Sequence, residues 1–528
     1  MEEATIYYGG DILTMEPEET VEAVLVRDGK IHTAGALEAA VQAAPDPVRM
    51  ADLHGKTMLP AFLDPHSHLV SFSRTLSLVP LAGAADFDEI VARLNHFVQQ
   101  TAVPPDNFIL GFGYDQNFLK ERAHPTRRVL DRVTGEHPVL ISHASGHMGV
   151  ANSRALSTLG IDAGTQDPPG GIIGREENSR TPNGYLEETA FTAAGTAVPQ
   201  PSVGEQAELV ARAQDIYLQN GITTIQDGLT GPEGWAVLCE AARRGLLKAD
   251  VVCYADAKDH AALAGAAVPT PRLRMGGYKI FLDGSPQGRT AWMSEPYEGS
   301  SEGYRGYPTH TDAVVQQFAQ TALREGRQLL AHCNGDAAAQ QLLDAYARAR
   351  EKTGIYKDLR PVMIHAQLVR ADQLARMADL GMIASFFTAH TYYWGDVHRK
   401  NFGDRRAMAI SPAHTAKESG VIYTFHQDTP VIGPDMLETV WCAVNRVTRD
   451  GVVLGEGERI SPMDALRAVT INAAYQYFEE GRKGSIRPGK LADFVILSEN
   501  PCRVEPEKIR GIRVIETIKD GETVYRRA

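Results

Sequence analysis

Residues 59–68 read Leu59-Pro60-Ala61-Phe62-Leu63-Asp64-Pro65-His66-Ser67-His68, an apolar run that ends in two histidines one residue apart. In an extended chain, side chains at i and i+2 point to one face, so both imidazoles can reach a single cation about 2.1 Å away. Alone, the pair is modest evidence, since such spacing arises by accident. It gains weight only if other segments repeat the pattern of an apolar strand ending in a metal-ligating residue.

They do. The run TMLPAFLD (57–64) is the first of eight short segments rich in Val, Ile and Leu; the next are GITTIQD (221–227), ADVVCYAD (249–256) and MGGYKIFLD (275–283). QLLAH (328–332), PVMIH (361–365), GMIASFF (381–387) and GVIYTFH (420–426) complete the set. Segments of helical period lie between them, which predicts parallel β/α units, and eight such units close a (β/α)8 TIM-like barrel. His332 closes the fifth segment, His365 the sixth, Asp428 follows the eighth and Lys279 lies within the fourth. A barrel gathers its strand C-termini at one mouth, so four histidines and an aspartate at those ends predict a metal site.

The barrel is expected to span 57–482. Residues 1–56 and 483–528 alternate apolar and polar positions around Gly-Gly and Asp-Gly turns, and neither set of strands is stable alone. They are therefore expected to pair into one small β-sandwich domain. About 80–215 form a long insertion after the first barrel strand, read as a lid or substrate-binding module. It carries strands at NFILGFGYD and PVLISHASGH and a turn-rich DPPGGIIG loop.

Composition narrows the function. The 528 residues are 43% hydrophobic and 23% charged, values of an ordinary globular α/β protein. Net charge is −13, with no Lys/Arg cluster to track phosphates, so nucleic acid is not an expected partner. No apolar stretch approaches the roughly 18 residues of a membrane span, and the acidic start MEEATIYYGG is unlike a secretory signal, so a cytoplasmic protein without membrane contact is expected. Five scattered cysteines read as free buried thiols. Nucleotide loops and a G-x-S-x-G elbow are absent.

With these motifs assembled, the chain resembles the amidohydrolase superfamily, specifically its YtcJ-like branch, which includes N-substituted formamide deformylases. LPAFLDPHSH is similar to the first-strand metal motif, HCNGDAA (332–338) to the fifth, IHAQLV (364–369) to the sixth and HQDTPV (426–431) to the eighth. DGSPQGRTA (283–291), GHMGVANSRAL (146–156) and KGSIRPGKLADFVIL (483–497) also match the branch. The resemblance implies that His66 and His68 hold one metal, His332 and His365 a second, and that Asp428 ligates the first while shuttling a proton. Zinc is the implied metal. Lys279 would bridge two ions after carboxylation by carbon dioxide, since an ammonium has no lone pair; a mononuclear site and an uninvolved lysine stay open. One departure is Ile364, where many relatives carry Glu.

The implied activity is hydrolysis of a carbon–nitrogen bond in a small amide or formamide by a metal-activated hydroxide, with Asp428 and Lys279 as catalytic groups. Deamination of a ring amidine with one metal, and a metal-binding regulatory protein without turnover, remain alternatives. Substrate contacts are expected from Trp292, from His390 and Trp394 in AHTYYWGD (389–396), and from His147 if the insertion folds over the mouth. A homodimer is compatible with this reading, and oligomeric state stays open.

Overall fold

The computed structural model describes residues 4–528 apart from 102, 105, 117, 134–136, 144–146, 199–200, 264–269 and 301–302. It separates into two compact units, Met1–Phe72 with Val210–Ala528, and Ser73–Leu209.

In the larger unit, eight strands form one parallel sheet in chain order: Phe62–Leu63, Ile222–Thr230, Asp250–Asp256, Leu273–Phe281, Gln328–Cys333, Val362–His365, Ile383–Phe386 and Tyr423–Phe425. Each pairs with the next, as a barrel requires. Beyond the strand ends the first and eighth segments meet: the His68 N–H donates to Thr429 O at 2.8 Å, and the Asp428 N–H to His66 O at 3.1 Å. Amphipathic helices Pro232–Arg243, Asp312–Arg324, Asp336–Thr353 and Ala371–Leu380 follow the second, fourth, fifth and sixth strands. Leu63, Val252, Tyr254, Leu330, Val362, Ile364 and Ile383 form a buried cluster with Ala473 and Ala474 of the Ile471–Gln476 helix and with Tyr477 just after it.

The expected first barrel strand divides in two. Thr57–Pro60 pairs with Phe494–Leu497 and with Asp11–Ile12, so it belongs to the terminal sheet, and only Phe62–Leu63 joins the barrel. The change of sheet falls at Ala61: its N–H still donates to Asp493 O at 2.9 Å, whereas the Phe62 N–H donates to Gly221 O at 2.9 Å beside the second barrel strand. Strands from both ends of the chain lie in that one eight-stranded sheet, where Ile12, Val24 and Met58 pack with Phe494 and Ile518. A helix at Leu37–Ala43, not anticipated from the sequence, lies between its third and fourth strands. Cys253, Cys333 and Cys442 are buried, whereas Cys239 is half-buried and Cys502 exposed, a correction to the expectation of five buried thiols.

The smaller unit is built on a six-stranded sheet in which Ile109–Tyr114 and Val139–His143 are neighbours. Its boundary with the larger unit falls within the Val203–Gln219 helix, which also leads into the second barrel strand, so the compact unit ends before residue 215. GHMGVANSRAL begins at Gly146, outside the described residues. No helix among the described residues is long and apolar enough to cross a membrane.

Candidate metal centre

Strand direction carries the expected ligands to one end of the sheet, and local backbone geometry turns them toward one another. His365 and Asp428 adopt left-handed backbone, with φ of 72° and 54°. For residues other than glycine this conformation costs of order 1–3 kcal/mol and persists only where the surroundings impose it. His365 ends its strand, and the reversal re-aims a ring that strict alternation would send away from Ile364 and its core neighbours.

His66 Nε2 and His68 Nε2 each lie 3.3 Å from Asp428 Oδ1. The three ligand atoms all fall within 4.8 Å of one another, a spacing that can hold a metal ion. The proton on His66 can be placed by elimination. Gln226 Nε2 donates to Pro65 O at 2.5 Å and lies 3.2 Å from the Tyr477 hydroxyl, which orients the amide so that Gln226 Oε1 faces His66 Nδ1 at 2.7 Å. An amide oxygen only accepts, so His66 carries its proton on Nδ1 and a lone pair on Nε2. That lone pair faces the Asp428 carboxylate, and Asp428 Oδ1, buried, has no hydrogen-bond partner among the described residues. Two electron-rich atoms aimed at each other favour a cation between them, although Lys279 Nζ, 3.2 Å from His66 Nε2, already meets one of the two. The donor set of two imidazole nitrogens and one carboxylate oxygen fits a divalent ion of borderline softness.

Lys279 is fully buried, with Nζ 3.2 Å from His66 Nε2 and 5.5 Å from the centre of the Phe281 ring. Burial pushes its ammonium down to about 7 from the usual 10.5. His332 and His365 stack edge-to-face at 4.5 Å, and His365 Nε2 is 3.9 Å from Asp428 Oδ2. His332 Nε2 faces Asn334 Nδ2 at 2.9 Å. Burial, with help from the Lys279 charge, lowers His66 to about 4 and His332 to about 3, so both rings are neutral near pH 7, the form that ligates metal.

Several functional positions went unrecognised in the sequence. His426 Nε2 lies 3.2 Å from His365 Nδ1, and His426 Nδ1 lies 2.9 Å from Ser385 Oγ, so His426 orients His365 from the side away from Asp428. Ile364 is buried in the core cluster, so the ring support of His365 comes from the His426 imidazole and not from the residue before it. Asp283 accepts the N–H groups of Trp292, Asn334 and Gly335 at 2.7–3.0 Å, which ties the loop after the fourth strand to the end of the fifth. A glutamine near the end of the second strand (ITTIQD) and a histidine two residues before Asp428 were the available signals.

Of the expected substrate contacts, Trp292 is half-buried in that Asp283-tied loop. His390 and Trp394 meet at 4.7 Å with their rings inclined at 47°, and Phe387 stands between them and the ligands, its ring 4.7 Å from His390 and 6.1 Å from His365. His147 lies in the smaller unit, exposed, with Nδ1 3.1 Å from Glu188 Oε2.

The profile of the amidohydrolase family matches residues 49–525. The chain belongs to the amidohydrolase family. It is 28% identical to the N-substituted formamide deformylase of Arthrobacter pascens over 96% of this chain and 95% of that protein. It is 27% identical to the putative amidohydrolase YtcJ of Bacillus subtilis over 99% of both. A crystal structure of an uncharacterized metal-dependent hydrolase from Pyrococcus furiosus superposes with a TM-score of 0.78 at 25% identity, covering 95% of this chain and all of that one. Family membership makes this protein a metal-dependent hydrolase on a TIM-like barrel.

Proposed function

We propose that this amidohydrolase cleaves the carbon–nitrogen bond of a small amide- or formamide-type molecule. His66, His68 and Asp428 would hold one zinc ion, and His332, His365 and a carboxylated Lys279 a second. The observation that carries the reading is the unpartnered Asp428 Oδ1 facing the His66 lone pair at 3.3 Å. The metal would supply ionised water near neutral pH and polarise the scissile carbonyl.

The protein's own groups do the rest. With Oδ1 turned to His66 and His68, Asp428 Oδ2 is the atom that accepts the proton of the attacking water and returns it to the leaving nitrogen, which departs poorly as an anion. Gln226 and His426 hold the rings of His66 and His365 with their Nε2 atoms inward. Burial leaves the Lys279 amine partly neutral near pH 7, and only a neutral amine adds to carbon dioxide, losing one proton to give the carbamate. The names of the deformylase and amidohydrolase relatives support an amide bond as the target.

A second reading rests on a specific observation. Among the described residues only His66, His68 and Asp428 meet the spacing of a metal cluster, while His332 Nε2 is engaged by Asn334. One ion and an unmodified lysine would follow, the arrangement suited to deamination of a ring amidine. Metal analysis of the purified protein, followed by N-formyl, N-acyl and cyclic amides beside ring amidines, decides. Two zinc ions per chain with amide turnover supports the first reading, and one ion with ammonia release from an amidine the second. A metal-loaded protein inert on both panels refutes both.

A further inference from the structure

Two buried histidines beyond the seventh strand take no part in the site as described. His390 Nδ1 lies 3.0 Å from His398 Nε2, and the rings are nearly parallel, 12° apart with centroids at 5.3 Å. On its other side the His398 ring stacks on Phe402 at 5.7 Å and 23°. His398 is fully buried, and its Nδ1 is sealed without a hydrogen-bond partner among the described residues. His390 keeps 4% of its surface exposed. It follows the seventh strand at the end of the sheet that carries His332 and His365, separated from His365 by the Phe387 ring.

One proton joins the pair, and its placement follows from the sealed atom. If His390 Nδ1 donated, a neutral His398 would carry its own proton on Nδ1, leaving a buried N–H with no acceptor, which native interiors avoid. If His398 Nε2 donates, the sealed Nδ1 is a bare lone pair, and the His390 proton must sit on Nε2. Burial keeps both rings neutral. We propose that His398 is a positioning residue that fixes the His390 proton on Nε2, so that His390 presents a neutral N–H donor to the carbonyl oxygen of the amide substrate. The substrate half of this inference rests on the amide-hydrolase reading; the proton half does not. A neutral donor suits an oxygen that gains charge as the carbonyl becomes tetrahedral, because its hydrogen bond strengthens only as the reaction proceeds.

The test separates the two halves. Long-range proton–nitrogen correlation spectra of the zinc-loaded, 15N-histidine-labelled protein, with His390→Gln to assign the signal, report which His390 nitrogen is protonated without any substrate. The expected result is Nε2. His398→Gln retains an amide N–H where Nε2 donated and should keep that proton placement. His398→Phe fills the slot beside Phe402 without a donor and should lose it. On an N-alkylformamide turned over by the unaltered enzyme, His398→Phe is expected to lower kcat/KM by about 10²-fold, mainly through kcat, with zinc content unchanged, and His398→Gln to recover most of it. A His390 proton found on Nδ1 in the unaltered enzyme overturns the assignment, and does so even if His398→Phe fails to fold. Unchanged kcat/KM in a folded, zinc-loaded His398→Phe overturns the catalytic half. Absence of turnover on every amide would instead count against the amide reading and leave the nitrogen measurement to decide the proton.

Discussion

Replacing Gln226 with leucine tests the central geometry without touching a ligand. Gln226 Oε1 accepts the His66 Nδ1 proton at 2.7 Å, while Pro65 O also receives Gln476 Nε2 at 2.8 Å and so keeps a donor when Gln226 is lost. The substitution therefore orphans chiefly one buried N–H, a cost of about 1–3 kcal/mol. That cost should fall unevenly on the metal-bound and metal-free protein. Without metal, His66 can move its proton to Nε2 and donate to Asp428 Oδ1, 3.3 Å away. With metal, Nε2 must offer its lone pair, so Nδ1–H is left unpaired and the ion loses that energy. Zinc affinity is expected to fall about 10- to 100-fold, the range typical of lost support behind a ligating histidine. The metal-free unfolding temperature should change little. Competition of zinc between apoprotein and a chelator of known affinity measures the first, and thermal unfolding in chelator the second. Zinc affinity unchanged in Gln226→Leu would refute the proton placement on His66. An equal loss of stability in both forms would show that Gln226 only fills space.

Asp428→Asn should keep the fold and much of the metal yet lose about 10²- to 10⁴-fold in kcat/KM, the range for a proton-transfer group; near-normal rates would remove Asp428 from the mechanism. Lys279→Met should lower zinc from two ions per chain to one, and 13C-bicarbonate should yield a carbamate carbon signal in the unaltered protein but not in this variant; a single ion in both excludes the bridge. Burial opposes ionisation of Asp250, but Lys483 at 2.5 Å and Lys519 at 3.3 Å overcome it and hold the carboxyl down at about 2 against the usual 3.8. Its folded-state value is depressed, so its contribution, about 2 kcal/mol, is full above pH 3.8 and lost as pH falls toward 2. Asp250→Asn should accordingly lower stability at pH 7 and narrow its gap to the unaltered protein in acid; a gap independent of pH refutes the linkage. The fully buried Arg446 guanidinium donates to Leu454 O, Ser411 O and Ile410 O at 2.6–3.0 Å, so Arg446→Met should lower the unfolding free energy measured by denaturant titration by about 3 kcal/mol or more, and a loss under about 1 kcal/mol would refute that role.

What was legible in the sequence followed from periodicity and strand polarity. Runs such as QLLAH and PVMIH end in histidine at the rim where a barrel presents its strand C-termini, and in the structure His332 lies against His365, whose Nε2 is 3.9 Å from Asp428 Oδ2. Legibility failed where a residue's partner is set by the third dimension. Gln226 supports His66 from the neighbouring strand and His426 supports His365 from two strands away, and nothing in local spacing says which buried polar side chain faces which ring. Thr57–Pro60 reads as the start of a barrel strand because its apolar pattern suits either sheet; only its pairing with Phe494–Leu497 decides. The left-handed turn at His365 was hidden for the opposite reason, since its φ of 72° runs against the local preference of a histidine and is imposed by what surrounds it.

The seam between the first and eighth strands joins these observations. The strand ladder stops at Leu63 on one side and Phe425 on the other, and beyond it the sheet edges are linked by the His68 N–H to Thr429 O and the Asp428 N–H to His66 O. The residues whose backbones make that link are the ones whose side chains form the metal cluster, or stand directly beside them. Strain at Asp428 is thus held by the same contacts that complete the ring. A cation shared by His66, His68 and Asp428 would add a third tie across the seam, through side chains. Binding energy that strengthens the folded state in this way also fixes the proton-transfer carboxylate relative to both rings, which is the preorganisation hydrolysis requires.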